Sequence, residues 1–206
     1  MIATIIDIVA SRDVGSSERK EMDEKIRSLL EEVESRFRKY SRARPSLTQG
    51  DSIELLVDSW QPIVFLFHRL LMREIRFRVG LGTGKIVIKK EDADECDGPA
   101  FWNAREALDE IKQTKYMTRS AGFKIGKDSS EDETHMVIHS VLFLTTFLSL
   151  TSTQLEHCYY HIWEGKGISE IAEAVETSKG NVSSSLSKTP CYLLERVKSF
   201  LSSQRE

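Results

Sequence analysis

Cysteine and proline are scarce in this chain of 206 residues, which has three of the first and four of the second. Cys96, Cys158 and Cys191 are odd in number, lie far apart and include no C-x-x-C pair, so neither a disulfide framework nor a zinc ribbon is expected. Free thiols fit a reducing cytoplasm. With four prolines and eleven glycines, collagen-like and low-complexity classes are excluded. No long apolar run is present. Met136 to Leu150 comes nearest, but His139, Ser140, Thr145, Thr146 and Ser149 interrupt it, and no membrane span is expected. The start, Met1-Ile-Ala-Thr-Ile-Ile-Asp7, puts an acid where a signal peptide carries basic residues. Large charge of one sign is also missing. Lys+Arg 29 against Asp+Glu 32 leaves a net charge of -3, which excludes a whole-chain polyelectrolyte grip on nucleic acid.

What is present is 40% hydrophobic and 30% charged residues, the balance of a folded globular chain. The first half alternates strand and helix signals. Ile2 to Val9 is a β-branched run, Ser16 and Ser17 can cap a helix to about Tyr40, and Ser46 to Val57 is a hairpin with Gly50-Asp51 at its tip. A helix over Trp60–Glu74 and strands over Ile75–Leu81 and Lys85–Ile88 follow, then a helix over Pro99–Ile111. The order predicts an α+β fold with an N-terminal ferredoxin-like, palm-type βαββαβ domain over 1–113, its helices on one sheet face. Residues 114–133 read as a linker. From 134 to 206 the pattern is all-α.

Within that C-terminal domain, Ile168, Ile171, Ala172 and Val175 form one helix face, Glu176-Thr177-Ser178 a turn, and Val182 and Leu186 the inner face of the next helix. A small residue at Ala172 suits a close helix crossing. This is the packing logic of a helix-turn-helix, and the segment resembles that motif in bacterial and archaeal regulators, with Glu176 where Gly is usual. The outward side chains would be Ser178, Lys179, Asn181, Ser183, Ser184, Ser187 and Lys188. They can bond phosphates and base edges, and consecutive serines are poor choices for a plain solvent face. Double-stranded DNA is the expected partner. Residues 134–206 carry six Lys+Arg and seven Glu, a net charge of −1, so a homodimer with paired recognition helices is expected to strengthen a weak single contact.

Two carboxylates stand out in the first half. Asp7 ends the first strand and Asp51 sits at the hairpin tip, so a split-βαβ sheet brings them to one edge, where a carboxylate pair can hold Mg²⁺. The blocks Asp7-Ile-Val-Ala-Ser-Arg12, Gln49-Gly-Asp-Ser-Ile-Glu54, Arg78-Val-Gly-Leu-Gly-Thr-Gly84 and Asp97-Gly-Pro-Ala-Phe-Trp-Asn-Ala-Arg105, with the helix-turn-helix, resemble the SatD family. More distantly they resemble class III nucleotidyl cyclases. That likeness implies metal ligands at Asp7, the Ile8 carbonyl and Asp51, and nucleotide contacts at Arg12, Gly50, Asn103 and Arg105. It departs at Leu47, where the cyclases carry a purine-reading lysine, and at Trp102 and Glu106, which take the places of the cyclase Asn and Arg. The expected function is a DNA-binding transcriptional regulator whose palm-like domain senses a ligand, Mg²⁺-nucleotide among them, or dimerises. The alternative is a nucleotidyl cyclase or related phosphoryl-transfer enzyme with a DNA-binding module. His135/His139 and His157/His161 share the i, i+4 spacing of helical zinc sites but lack H-E-x-x-H and a third ligand, so they read as packing residues.

Overall fold

A computed structural model describes residues 1–9, 16–48, 51–113 and 120–203, of which 16–18 are described by their backbone. The described elements form a mixed α+β set of five strands and eight helices. The chain divides into two compact units, Met1–Leu70 with Ile75–Leu144, and Leu71–Glu74 with Thr145–Glu206.

In the first unit the apolar run at the start becomes β1 (Ile2–Ile8), which is central. It is followed by α1 (Ser16–Phe37), β2 (Ser46–Leu47), β3 (Ser52–Val57), α2 (Trp60–Met72), β4 (Phe77–Thr83), α3 (Pro99–Lys112), β5 (Ser120–Lys124) and α4 (Glu131–Phe147). The sheet order is β2-β3-β1-β4-β5, with β1 antiparallel to β3 and β4, and β5 parallel to β4. Directly paired residues share a face. Ala3, Ile5 and Asp7 therefore line up with Leu56, Glu54 and Ser52 on one side and with Gly82, Gly80 and Arg78 on the other. This face takes α3, through buried Ala100, Ala104 and Leu108. The approach is close enough that a Cβ on Gly80 would stand 2.0 Å from the Ala104 carbonyl oxygen. The opposite face meets α2, whose Phe67 stacks on Phe77 with ring centroids 5.6 Å apart. Phe37 of α1 in turn meets Phe65 of α2 edge-on at 5.2 Å. Residues Ile63 to Phe67 of α2 are all fully buried, as befits a helix apolar all round.

The first unit departs from expectation at four points. Helices cover both faces of the sheet, because the glycines of β4 admit α3 on the second one. Lys85–Ile88 is not a strand: Val87 is 71% exposed and only Ile88 bridges to Asp97. The segment read as a linker carries β5, and its Gly122 is a packing residue under α3, with a Cβ there lying 2.7 Å from the Ala107 carbonyl oxygen. Most of α4 also falls in the first unit, so the boundary lies later than 133.

The second unit holds α5 (Ser152–Ile162), α6 (Ile168–Ala174), α7 (Lys179–Ser187) and α8 (Cys191–Ser203). Thr151 and Gln154 close a reciprocal capping box on α5, and the Ser178 hydroxyl caps α7 by accepting from the Asn181 N–H at 3.1 Å. Leu155, Ile162, Ile171, Ala172, Val182, Leu186 and Leu194 are buried. Cys158 and Cys191 are not free thiols but a disulfide between α5 and α8, with Cα atoms 5.5 Å apart. Only Cys96 stays free, and it is buried. Among the described residues no helix is long and apolar enough to cross a membrane.

Candidate functional site

The α6–turn–α7 segment is built from local signals. Gly167 precedes α6, and its N–H donates to the Glu170 carboxylate at 2.9 Å. The turn passes through Glu176 at φ 53, a left-handed conformation that costs a residue with a Cβ about 1 kcal/mol. The Thr177 N–H then donates to the Ala172 carbonyl at 2.9 Å, which fixes how the chain leaves α6. Val182 and Leu186 are fully buried. Ser178, Lys179, Asn181, Ser183, Ser184, Ser187 and Lys188 are all exposed. Some of these also serve the fold: the Asn181 amide donates to the Thr177 hydroxyl at 3.1 Å, and the Ser187 hydroxyl to the Ser184 carbonyl at 3.0 Å. α7 contains no acidic residue.

Beside α7 lies a cleft of about 560 Å³ whose walls include Thr151, Gln154 and His157 from the α5 side and Asn181, Ser184 and Lys188 from α7. His157 is 2% exposed, and neither its Nδ1 nor the Ser185 Oγ has a hydrogen-bond partner. Burial pushes the imidazole pKa down from its ordinary value, against a smaller upward pull from Glu156. Sequence reasoning missed this cleft, because its walls come from residues some thirty positions apart. Among the described residues no group of three or more His, Cys, Asp or Glu that could hold a metal ion occurs.

In the first unit the backbones of Asp7 and Asp51 do adjoin. Asp7 pairs with Ser52, and the Ile8 N–H donates to the Asp51 carbonyl at 3.1 Å. Their carboxylates are engaged separately. Lys112 of α3 reaches Asp7 at 3.0 Å, with Arg78 at 3.9 Å. Arg19 of α1 holds Asp51, itself only 8% exposed, at 2.6 Å. Mg²⁺ needs oxygens converging on one point, and three cations already answer these two carboxylates from helices on opposite sides of the sheet and from β4. The residues as arranged do not fit a shared magnesium ion. Arg12 and Gly50 lie outside the described residues. Asn103 is not brought to this corner. Its amide donates to the Thr83 carbonyl at 2.8 Å, at the Ile2 end of β1, roughly 17 Å along the strand from Asp7. Arg105 is 3.9 Å from Glu54 on the α3 face. Burial raises the Glu54 carboxyl pKa above its ordinary value; Arg105 opposes this, while Asp94 and Asp97 add to it.

A model of the SatD family matches residues 1–199, a span that takes in the aspartate corner, the α6–α7 turn and most of α8. The chain belongs to the SatD family. No curated protein matches the sequence. In this SatD-family protein the matched span covers both units, so the exposed polar helix and the sheet belong to one family pattern.

Proposed function

We propose that this SatD-family protein is a transcriptional regulator that binds double-stranded DNA through α7. In this reading α6 and α7 are a helix-turn-helix, and α7 enters the major groove. The observation that carries it is the division of α7 and its two cap residues into a fully buried seam, Val182 and Leu186, and an outward face of seven exposed polar or cationic residues without an acid. A helix meant only to meet water gains from glutamates and long ion pairs; this one has neither. The second unit is not strongly basic, so a homodimer that places two copies of α7 about 34 Å apart would supply the missing affinity.

We assign the first unit a ferredoxin-like, palm-type core. The order β2-β3-β1-β4, with α1 and α2 on one face, supports it. Its role is ligand sensing or dimerisation. A Mg²⁺-nucleotide is the ligand the family likeness suggested, but the ion pairs of Asp7 and Asp51 speak against the metal. The same ion pairs, and Asn103 held at the far end of β4, count against the nucleotidyl cyclase reading. Incubation with the four nucleoside triphosphates and Mg²⁺ or Mn²⁺ should yield no cyclic product.

Fluorescence anisotropy with labelled random duplex DNA tests the central reading. Binding should fall with salt, and Lys179→Ala with Lys188→Ala should reduce the log–log salt slope by about two. Equal slopes for wild type and variant would remove α7 from the contact.

A further inference from the structure

The disulfide lies at an informative place in the second unit. Cys158 shares the inward stripe of α5 with Leu155 and Ile162, Cys191 opens α8, and both cysteines are fully buried. The sequence separation is 33, and the loop it closes contains the whole of α6, the turn at Glu176 and the whole of α7. Only Lys188, Thr189 and Pro190 separate α7 from the bridge. A crosslink that encloses a segment in this way restricts the loosened forms of that segment more than its packed form. A protein that works on DNA meets a thiol-reducing environment, where protein disulfides are typically transient and redox-responsive rather than permanent.

We infer that Cys158 and Cys191 are a redox pair that sets how firmly α6 and α7 are held, so that oxidation favours the DNA-competent form of the second unit. The DNA half of this inference rests on the function proposed above. In the oxidising step the two thiols lose two protons and two electrons as the S–S bond forms. A low-molecular-weight disulfide such as glutathione disulfide accepts them and is cleaved to two thiols; excess reduced glutathione runs the exchange backwards. Because both sulfurs are buried, attack must wait for α8 to open locally, and the response should take minutes to hours. Cys96, buried in the first unit, provides an internal reference.

The test uses the full chain equilibrated with oxidised or reduced glutathione, then denatured, alkylated and weighed by mass spectrometry. One alkylated cysteine is expected after oxidation and three after reduction. The oxidised protein should melt roughly 10 °C higher and bind random duplex DNA several-fold more tightly. Cys96→Ser should keep the whole response. Cys158→Ser/Cys191→Ser should lose it, and Cys158→Ala/Cys191→Ala serves if the serine pair does not fold. Three alkylated cysteines after oxidation, or equal melting temperatures in the two states, overturn the redox pair. A thermal response with equal duplex affinity in both states overturns its regulatory half. A thermal response with no duplex binding in either state supports the redox pair and removes the DNA reading instead.

Discussion

At the scale of single residues, Glu176 and Glu54 are held in environments their chemistry does not favour, and each yields a measurable consequence. Glu176 occupies the left-handed region that glycine enters freely. Its exposed side chain gives nothing evident in return. Glu176→Gly is therefore expected to stabilise the protein by about 0.5–1 kcal/mol, read as a rise in Tm, with duplex binding retained. Glu54 lies buried on the α3 face, and its carboxyl pKa is raised above 4.5, chiefly by burial. The fold thus favours its protonated form. That contribution is complete below pH 4.5 and is lost as pH rises through the raised value. Glu54→Gln should flatten this decline and leave the protein at least as stable as wild type near neutrality. Melting curves from below pH 4.5 to neutrality check the sign; a variant that loses stability mainly at neutral pH would show that the Arg105 contact outweighs burial.

At the scale of elements, close approach decides which residues are replaceable. Gly80 lets the backbone of β4 touch α3, and Gly80→Ala has no room to relax because the obstacle is the Ala104 carbonyl. We expect a loss of about 1–3 kcal/mol or more, seen as a lower denaturation midpoint. Ala172 of α6 is 5% exposed, and its carbonyl accepts from the Thr177 N–H. Ala172→Leu should cost about 1–3 kcal/mol and weaken duplex binding by displacing α7. Much of this level was legible in the sequence. β1, β3, α2, α3 and the four helices of the second unit follow from periodicity and caps, each within a few residues of its observed ends. β5 was not legible, because Ser120-Ala-Gly-Phe-Lys124 has no β-branched alternation and its glycine serves a helix distant in sequence. Lys85–Ile88 misled for the opposite reason: its residues suit a strand, but no neighbouring strand pairs with them along their length. The Cys158–Cys191 bridge had no spacing signature at all. The candidate site divides likewise. The exposed face of α7 could be read from its apolar positions, whereas the ion pairs that occupy Asp7 and Asp51 depend on Lys112, Arg78 and Arg19, which sequence alone does not bring near them.

At the scale of the whole molecule, one chain carries a sheet unit whose acidic corner is neutralised by its own cations and a helical unit that presents an uncharged or cationic polar helix. With a chain charge of -3, the proposed affinity for DNA would have to come from this local surface and from the proposed pairing of two copies. Sequence recognition by α7 is the claim on which the rest depends. The measurement that tests it most directly is selection of bound sequences from a pool of random duplexes by the full chain, repeated with Asn181→Ala. A reproducibly enriched sequence is expected for the wild type, with two half-sites about one helical turn apart, and loss of that enrichment is expected in the variant while it remains folded. A pool that stays random with folded wild-type protein, or an enriched sequence that Asn181→Ala and Lys179→Ala both leave unchanged, would contradict it.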